Sequence, residues 1–416
     1  MRQRAETGAL ILRCAAVKFL SSIALALIAP NLALTAPGAN SDLAQGEYLA
    51  RMGNCAGCHT APGGEPFAGG LRLESGYGAF ITPNITPDAK TGIGDWSADD
   101  FYRALHEGQR ADGTPMYPAC PYPNYTHVAR DDIDAIYDYL QSVRPIEQDQ
   151  PAHDLGFPYR YRSLLTIWQA LYFEPGKSHD NSAQSADWNR GRYLVEGLGH
   201  CNACHRARGR LGSMQDAANA PGAVIRGWYA PPLADPAQAG LQDMPVDQGA
   251  AFLQTGKREH GAMMGPMADV VFESLQYLRN EDAHAMATYL HAIPTQDVDS
   301  PIRLIGLSEQ GRENAMAEGR AIYADQCAGC HGDDGRGEHG APALAGNRAV
   351  TMDYPRNAAN MIREGGFAAA TQGNPRPHGM PPFYDLSDRE LAAVITFIRG
   401  SWGNNAAPVT ASNLPH

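Results

Sequence analysis

The feature that most limits what this chain can become is a pentapeptide, Cys-x-x-Cys-His, present three times. The copies are CAGCH at 55–59, CNACH at 201–205 and CAGCH at 327–331, so successive copies begin 146 and 126 residues apart. Each ends a short stretch that starts at a glycine (GEYLARMGN from Gly46, GRYLVEGLGH from Gly191, GRAIYADQ from Gly319), with apolar residues at helical spacing. Downstream of each lies a second amphipathic segment: DDIDAIYDYLQSV (131–143), NEDAHAMATYLHAI (280–293) and SDRELAAVITFIRG (387–400). These open with Asp, Asn or Ser, residues that cap helices through a side-chain oxygen. Each repeat therefore reads helix, pentapeptide, Gly/Pro-rich loop, closing helix. With 44 Gly and 30 Pro in 416 residues, short helices and long turn-rich loops are favoured over a coiled coil.

Two thiols separated by two residues can add to the two vinyl groups on one edge of a porphyrin. An imidazole directly after them reaches the iron from one face. The sets are Cys55, Cys58 and His59; Cys201, Cys204 and His205; Cys327, Cys330 and His331. A zinc site needs a second ligand pair, and no repeat has another Cys-x-x-Cys. A thioredoxin-like pair does not require the histidine, and a disulfide closing a two-residue loop is a poor staple. Six of the eight cysteines are used this way, and three covalently bound haem c groups are the expectation.

The sixth ligand decides whether a haem carries electrons or does chemistry. A methionine thioether favours Fe(II), raises the potential and closes the open position. In the third repeat Met380 (HGMPPF) precedes the closing helix, with Met352 and Met361 better explained by packing. In the second, Met263, Met264 and Met267 crowd together in GAMMGPMADVV. The first offers Met116 and Cys120 in GTPMYPACPYPNY. A cysteine thiolate would stabilise Fe(III) and lower the potential; the alternative is a buried free thiol. Neither residue is preferred by sequence. His106, His127, His260 and His378 lie near these loops and read as surface or haem-propionate contacts.

The N-terminus has the form of a secretory leader. Arg2, Arg4, Arg13 and Lys18 precede the apolar run FLSSIALALIA (19–29), and small residues follow from Ala33 to Ala39. Eleven apolar residues are short for a span, so cleavage near 36–39 and a periplasmic product are expected. Cys14, preceded by Arg13, does not look like a lipid-attachment cysteine. SLLTIWQALYF (163–173) reads as a buried core helix, with a membrane-interface or partner-facing role as the alternative. A net charge of −12 argues against a nucleic-acid partner.

Further motifs bring a resemblance into view: ITPNITPDAKTGIGDWSADDFYRALHEG (81–108), MYPACPYPNYTHV (116–128), GPMADVVFESLQYL (265–278), MPPF (380–383) and SWGN (401–404). The chain resembles the triple-haem cytochrome c subunits of bacterial membrane-bound dehydrogenases. These accompany quinoprotein alcohol dehydrogenases, flavin-dependent gluconate, sorbitol or fructose dehydrogenases, and molybdenum enzymes. The resemblance covers nearly all of the chain beyond the leader and implies Met267 and Met380 as distal ligands. Cys120 departs from the Met usual in the alcohol-oxidising branch.

The resemblance also implies a catalytic dehydrogenase subunit as partner, with a third small subunit in some complexes. It implies ubiquinone or a terminal oxidase as acceptor, peripheral association with the outer face of the cytoplasmic membrane, and no substrate site on this chain. The alternative is an independent haem enzyme, a peroxidase or sulfur-compound oxidase using an unusual first haem. The expected fold is mostly α, three tandem class I cytochrome c domains at 40–145, 186–294 and 308–404. A leader (1–39), linkers at 146–185 and 295–307, and a tail at 405–416 complete it.

Overall fold

The computed structural model describes residues 37–215, 221–295, 304–338 and 340–415, with side chains from residue 42. The expected leader, including Cys14, lies outside the described residues except for 37–39. Each repeat is organised by one helix crossing. The opening helices are Pro37–Met52, Ala186–Arg192 (continued by a π turn, Tyr193–Leu198) and Glu309–Gln326. The closing helices are Arg130–Ser142, Asn280–Ala292 and Asp388–Arg399. Gly46, Gly191 and Gly319 sit at the three crossings. A Cβ there would come within 2.0, 1.9 and 2.1 Å of the carbonyl oxygens of Ala135, Ala285 and Ala393. Only a residue without a side chain lets the helix backbones approach so closely.

Between pentapeptide and closing helix each repeat adds a middle helix: Ala98–Glu107, Val246–Thr255 and Arg356–Glu364. All three end at a glycine of positive φ, Gly108, Gly256 and Gly365, as helix C-termini commonly do. Asp99 and Asp100 lie in the first turn of Ala98–Glu107, where Ser97 and Asp100 form a capping box. Ser387 and Glu390 do the same for the last closing helix. The other two closing helices are capped ahead of the expected Asp131 and Asn280, two positions earlier at Ala129 and one earlier at Arg279, neither of which caps through a side chain. Asp131, Asp132, Glu281 and Asp282 instead lie in the first turn, where carboxylates complement the helix dipole. Small antiparallel sheets fill the loops, one of three strands (Arg72–Ser75, Gly78–Ile81, Asp154–Leu155) and three of two.

The first two repeats share one hydrophobic core, in which Leu49, Ile133, Leu194 and Met286 are fully buried. Their junction is reciprocal. Tyr48 of the first opening helix donates to Asp282 of the second closing helix at 2.5 Å; Tyr193 of the second donates to Asp132 of the first at 2.5 Å. Asp282 also accepts two bonds from Arg190, at 2.7 and 2.9 Å. In the third repeat the position equivalent to these tyrosines is Ala321, and its core around Leu391, Val394 and Ile395 is separate. It docks on the second repeat through Asn357, whose amide bonds both the N–H and the carbonyl of Tyr229, at 2.8 and 2.7 Å.

The 146–185 segment packs against both the first and the second repeat. Asp154–Leu155 joins the first repeat's sheet, and the Trp168 indole donates to the Leu211 carbonyl at 2.7 Å. The expectation of a buried helix at 163–173 fails. Helix Leu165–Tyr172 buries none of its residues, and Phe157, Ile167 and Leu171 are 75, 60 and 67% exposed. Apolar periodicity marks a face that needs covering; it does not say by what. No helix among the described residues is long and apolar enough to cross a membrane.

Candidate haem sites

Cys55–His59 is itself one helical turn, introduced by Asn54 in the left-handed conformation (φ 49°). The other pentapeptides turn through Asn202–His205 and Ala328–His331. These turns place the first thiol of each set three and four positions before the second thiol and the imidazole, a spacing that brings all three onto one side of the turn. The three imidazoles share one feature that the pentapeptides do not contain. His59 Nδ1 lies 2.8 Å from the Pro83 carbonyl, His205 Nδ1 2.7 Å from that of Pro231, and His331 Nδ1 3.1 Å from that of Pro342. A carbonyl only accepts, so Nδ1 carries the proton and Nε2 keeps its lone pair for a metal. Burial lowers the affinity of all three rings for a second proton, with the proline carbonyl pulling the other way.

Sequence reading missed these prolines, although a signal was there. Each is followed two residues later by a branched apolar residue: Pro83-Asn-Ile85, Pro231-Pro-Leu233, Pro342-Ala-Leu344. Loop length hides it, because the proline follows the histidine by 24, 26 and 11 residues.

No disulfide pairs these thiols among the described residues. Burial pushes Cys55 and Cys201 up to about 12 and Cys58 and Cys327 up to about 11. The first two sites approach each other beside their first thiols: His200 Nε2, next to Cys201, lies 3.3 Å from the carbonyl of Gly53, two residues before Cys55. The second and third sites open into one cavity of about 680 Å³, lined by His205, Met267, His331 and Met380 among others. Met263, Met264, Met352 and Met361 line it too, and Met352 also packs with Tyr229 and Tyr354. No cluster of three or more His, Cys, Asp or Glu suited to a bare metal ion occurs among the described residues.

The chain's similarities agree with this geometry. The cytochrome c family model matches residues 43–144 and 316–402. The cytochrome c subunit of the quinone alcohol dehydrogenase of Gluconobacter oxydans is 39% identical over 392 residues, covering 89% of this chain and 80% of the relative. The cytochrome c subunit of Pantoea cypripedii gluconate 2-dehydrogenase is 37% identical over 396 residues, 89% and 88% of the two chains. The Gluconobacter japonicus fructose dehydrogenase cytochrome subunit is 32% identical over 397 residues, 89% and 81%. The chain belongs to the cytochrome c family.

The residues of this cytochrome fit haem c. Paired thiols stand beside an imidazole with a free Nε2, and an apolar cavity with methionines faces two of the three imidazoles. In the first repeat both candidates are present. Met116 donates its backbone N–H to Gly108 O at 2.7 Å, while Cys120 packs against the shared core with its thiol pushed up to about 12 by burial. Two of the four loop histidines meet the 146–185 segment. His106 is buried, stacked on Tyr102, with Nε2 2.9 Å from the Gly176 carbonyl; His127 packs on Gly176. The linker supplies Gly176, which a local reading of the haem loop does not reach. His260 and His378 are exposed.

Proposed function

We propose that this cytochrome is the electron-relay subunit of a periplasmic dehydrogenase complex. Its catalytic partner oxidises an alcohol, sugar, sugar acid or aldehyde, and its electrons leave toward ubiquinone. Three tandem class I cytochrome c domains each hold one haem c, bound through Cys55 and Cys58, Cys201 and Cys204, and Cys327 and Cys330. Haem supplies one-electron Fe(III)/Fe(II) chemistry when bound. His59, His205 and His331 serve as proximal ligands, and Met267 and Met380 as distal ligands. The observation that carries the reading is the threefold proline-carbonyl bond, which holds one nitrogen of every imidazole ready to coordinate.

The approach of His200, beside the second thiol pair, to the Gly53 carbonyl beside the first, and the cavity joining the second and third sites, support a continuous path through the chain. The uncovered helix Leu165–Tyr172, with Trp168, Tyr161 and Tyr172 and the flanking cations Arg160, Arg162 and Lys177, supports seating on an anionic membrane surface.

For the first haem, backbone register favours Cys120. Met116 N–H bonds Gly108 O and Met263 N–H bonds Gly256 O, both at 2.7 Å, each following a middle helix ended by a positive-φ glycine. Met116 thus corresponds to Met263, and Cys120, four residues on, corresponds to Met267. Cys120→Met then raises the potential of one haem and abolishes a thiolate-type low-spin electron paramagnetic resonance signal; an unchanged spectrum contradicts the assignment. For the relay itself, the tagged cytochrome is recovered from membranes with a dehydrogenase whose substrate reduces its haems. Recovery alone, with no substrate reducing it, contradicts the proposal.

A further inference from the structure

Arg258 is a cation without an ion-pair partner among the described residues, set in the wall of the cavity joining the second and third sites. It lies in the two-residue hairpin Lys257–Arg258/Gly261–Ala262, which hangs from the positive-φ turn at Gly256. Its Nε donates to the His260 carbonyl at 3.2 Å, and its guanidinium lies 5.7 Å from the centre of the Phe252 ring. These contacts fix the plane of the group and leave both terminal nitrogens with no hydrogen-bond partner among the described residues.

The nearby carboxylate is already taken. Asp243 accepts two bonds from Arg348, at 2.6 and 2.5 Å, and Arg348 is further held by the Gly240 carbonyl at 2.9 Å. Arg348 also lines the cavity, and Arg348 and Asp243 are the charged groups that act on Arg258, so the two guanidinium groups face one carboxylate that is bonded to Arg348. A half-buried cation beside another cation is costly unless an anion answers it. Glu259, next in sequence, is 89% exposed on its side chain and lies nearest His260, at 3.8 Å.

We infer that Arg258 anchors a haem propionate at the junction of the second and third sites. This rests on the haem c assignment above. The acid it answers is carried by the prosthetic group itself, and a guanidinium matches a carboxylate through two parallel N–H donors. A bare propionate disfavours the electron-richer Fe(II) state, and a cation held at it offsets that charge, so Arg258 acts as a positioning residue that raises the potential of the haem it holds.

The test uses the full-length, haem-loaded protein with haem carrying ¹³C at its propionate carboxyls. Three haems per chain, from the pyridine haemochrome, establish loading separately from the inference. In Arg258→Gln, one of the three midpoint potentials falls, and an isotope-sensitive carboxylate band moves in the reduced-minus-oxidised infrared difference spectrum. Arg258→Lys restores the potential in part, without the bidentate band. A potential shift with no change in any isotope-sensitive band overturns the contact, since charge acts at a distance. Three unchanged potentials in a fully loaded Arg258→Gln protein overturn it as well. Loading below three haems in the unsubstituted protein strikes the haem assignment instead.

Discussion

The exchanged tyrosines at the junction of the first two repeats look alike, but their partners differ, and that difference has a measurable size. Asp282 is 5% exposed on its side chain and is held by Tyr48 and by two bonds from Arg190. Burial alone would raise its pKa; the bonds from Arg190 and Tyr48 outweigh that and hold it below the usual carboxylate range. Asp132 accepts from Tyr193 and is in no ion pair among the described residues. Removing one member of a fully buried ion pair costs about 3–5 kcal/mol. Arg190 is 37% exposed and recovers some hydration, so Asp282→Asn is expected to cost about 2–3 kcal/mol at pH 7. Asp132→Asn loses the charge from a single hydrogen bond, about 1 kcal/mol.

The pH dependence has a definite sign. Because folding depresses the Asp282 pKa, its contribution is complete above the unfolded aspartate value of about 4 and is lost as pH falls through the lower folded value. The gap between Asp282→Asn and the unsubstituted protein should therefore close in acid. Urea denaturation of haem-loaded protein, followed by circular dichroism at pH 7 and again near the bottom of that range, reads both quantities. Equal costs for the two substitutions, or a gap that widens in acid, would show that Asp282 is not held as a buried ion pair.

The helix crossings give a second test. Gly191→Ala puts a methyl within 1.9 Å of the Ala285 carbonyl, so the helices must separate, at a cost of about 3 kcal/mol by denaturation, while Gly306→Ala, with nothing within 4 Å, stays within about 0.5 kcal/mol. On the uncovered helix, Ile167→Glu with Leu171→Glu should move the cytochrome from pelleted membranes to the supernatant and leave its absorption spectrum unchanged. At the docking of the third repeat, Asn357→Ala removes both bonds to Tyr229 and should cost about 1–2 kcal/mol, read as earlier unfolding of that repeat.

What the sequence made visible was mostly periodic or covalent. The pentapeptides, the glycines that open each repeat and the closing helices stand in the chain as local patterns, and local patterns set helices. The reciprocal tyrosines were half visible: GEYL and GRYL share a tyrosine where the third repeat has Ala321, but the aspartates they meet lie more than 60 and 230 residues away along the chain. The proline carbonyls that aim the imidazoles were hidden by loops of unequal length. Arg258 was invisible for another reason: an unpaired cation is recognised only when its neighbours' partners are known. Helix Leu165–Tyr172 had the apolar pattern of a core element, and no pattern within it distinguishes a core from a surface that meets something else.

The measurement that reaches the centre of the account is the intact mass of the exported, mature protein, followed by the masses of its peptides. Three haem additions are expected, one on each peptide containing Cys55 and Cys58, Cys201 and Cys204, and Cys327 and Cys330. Free thiols at any of the three pairs in fully matured protein would contradict it.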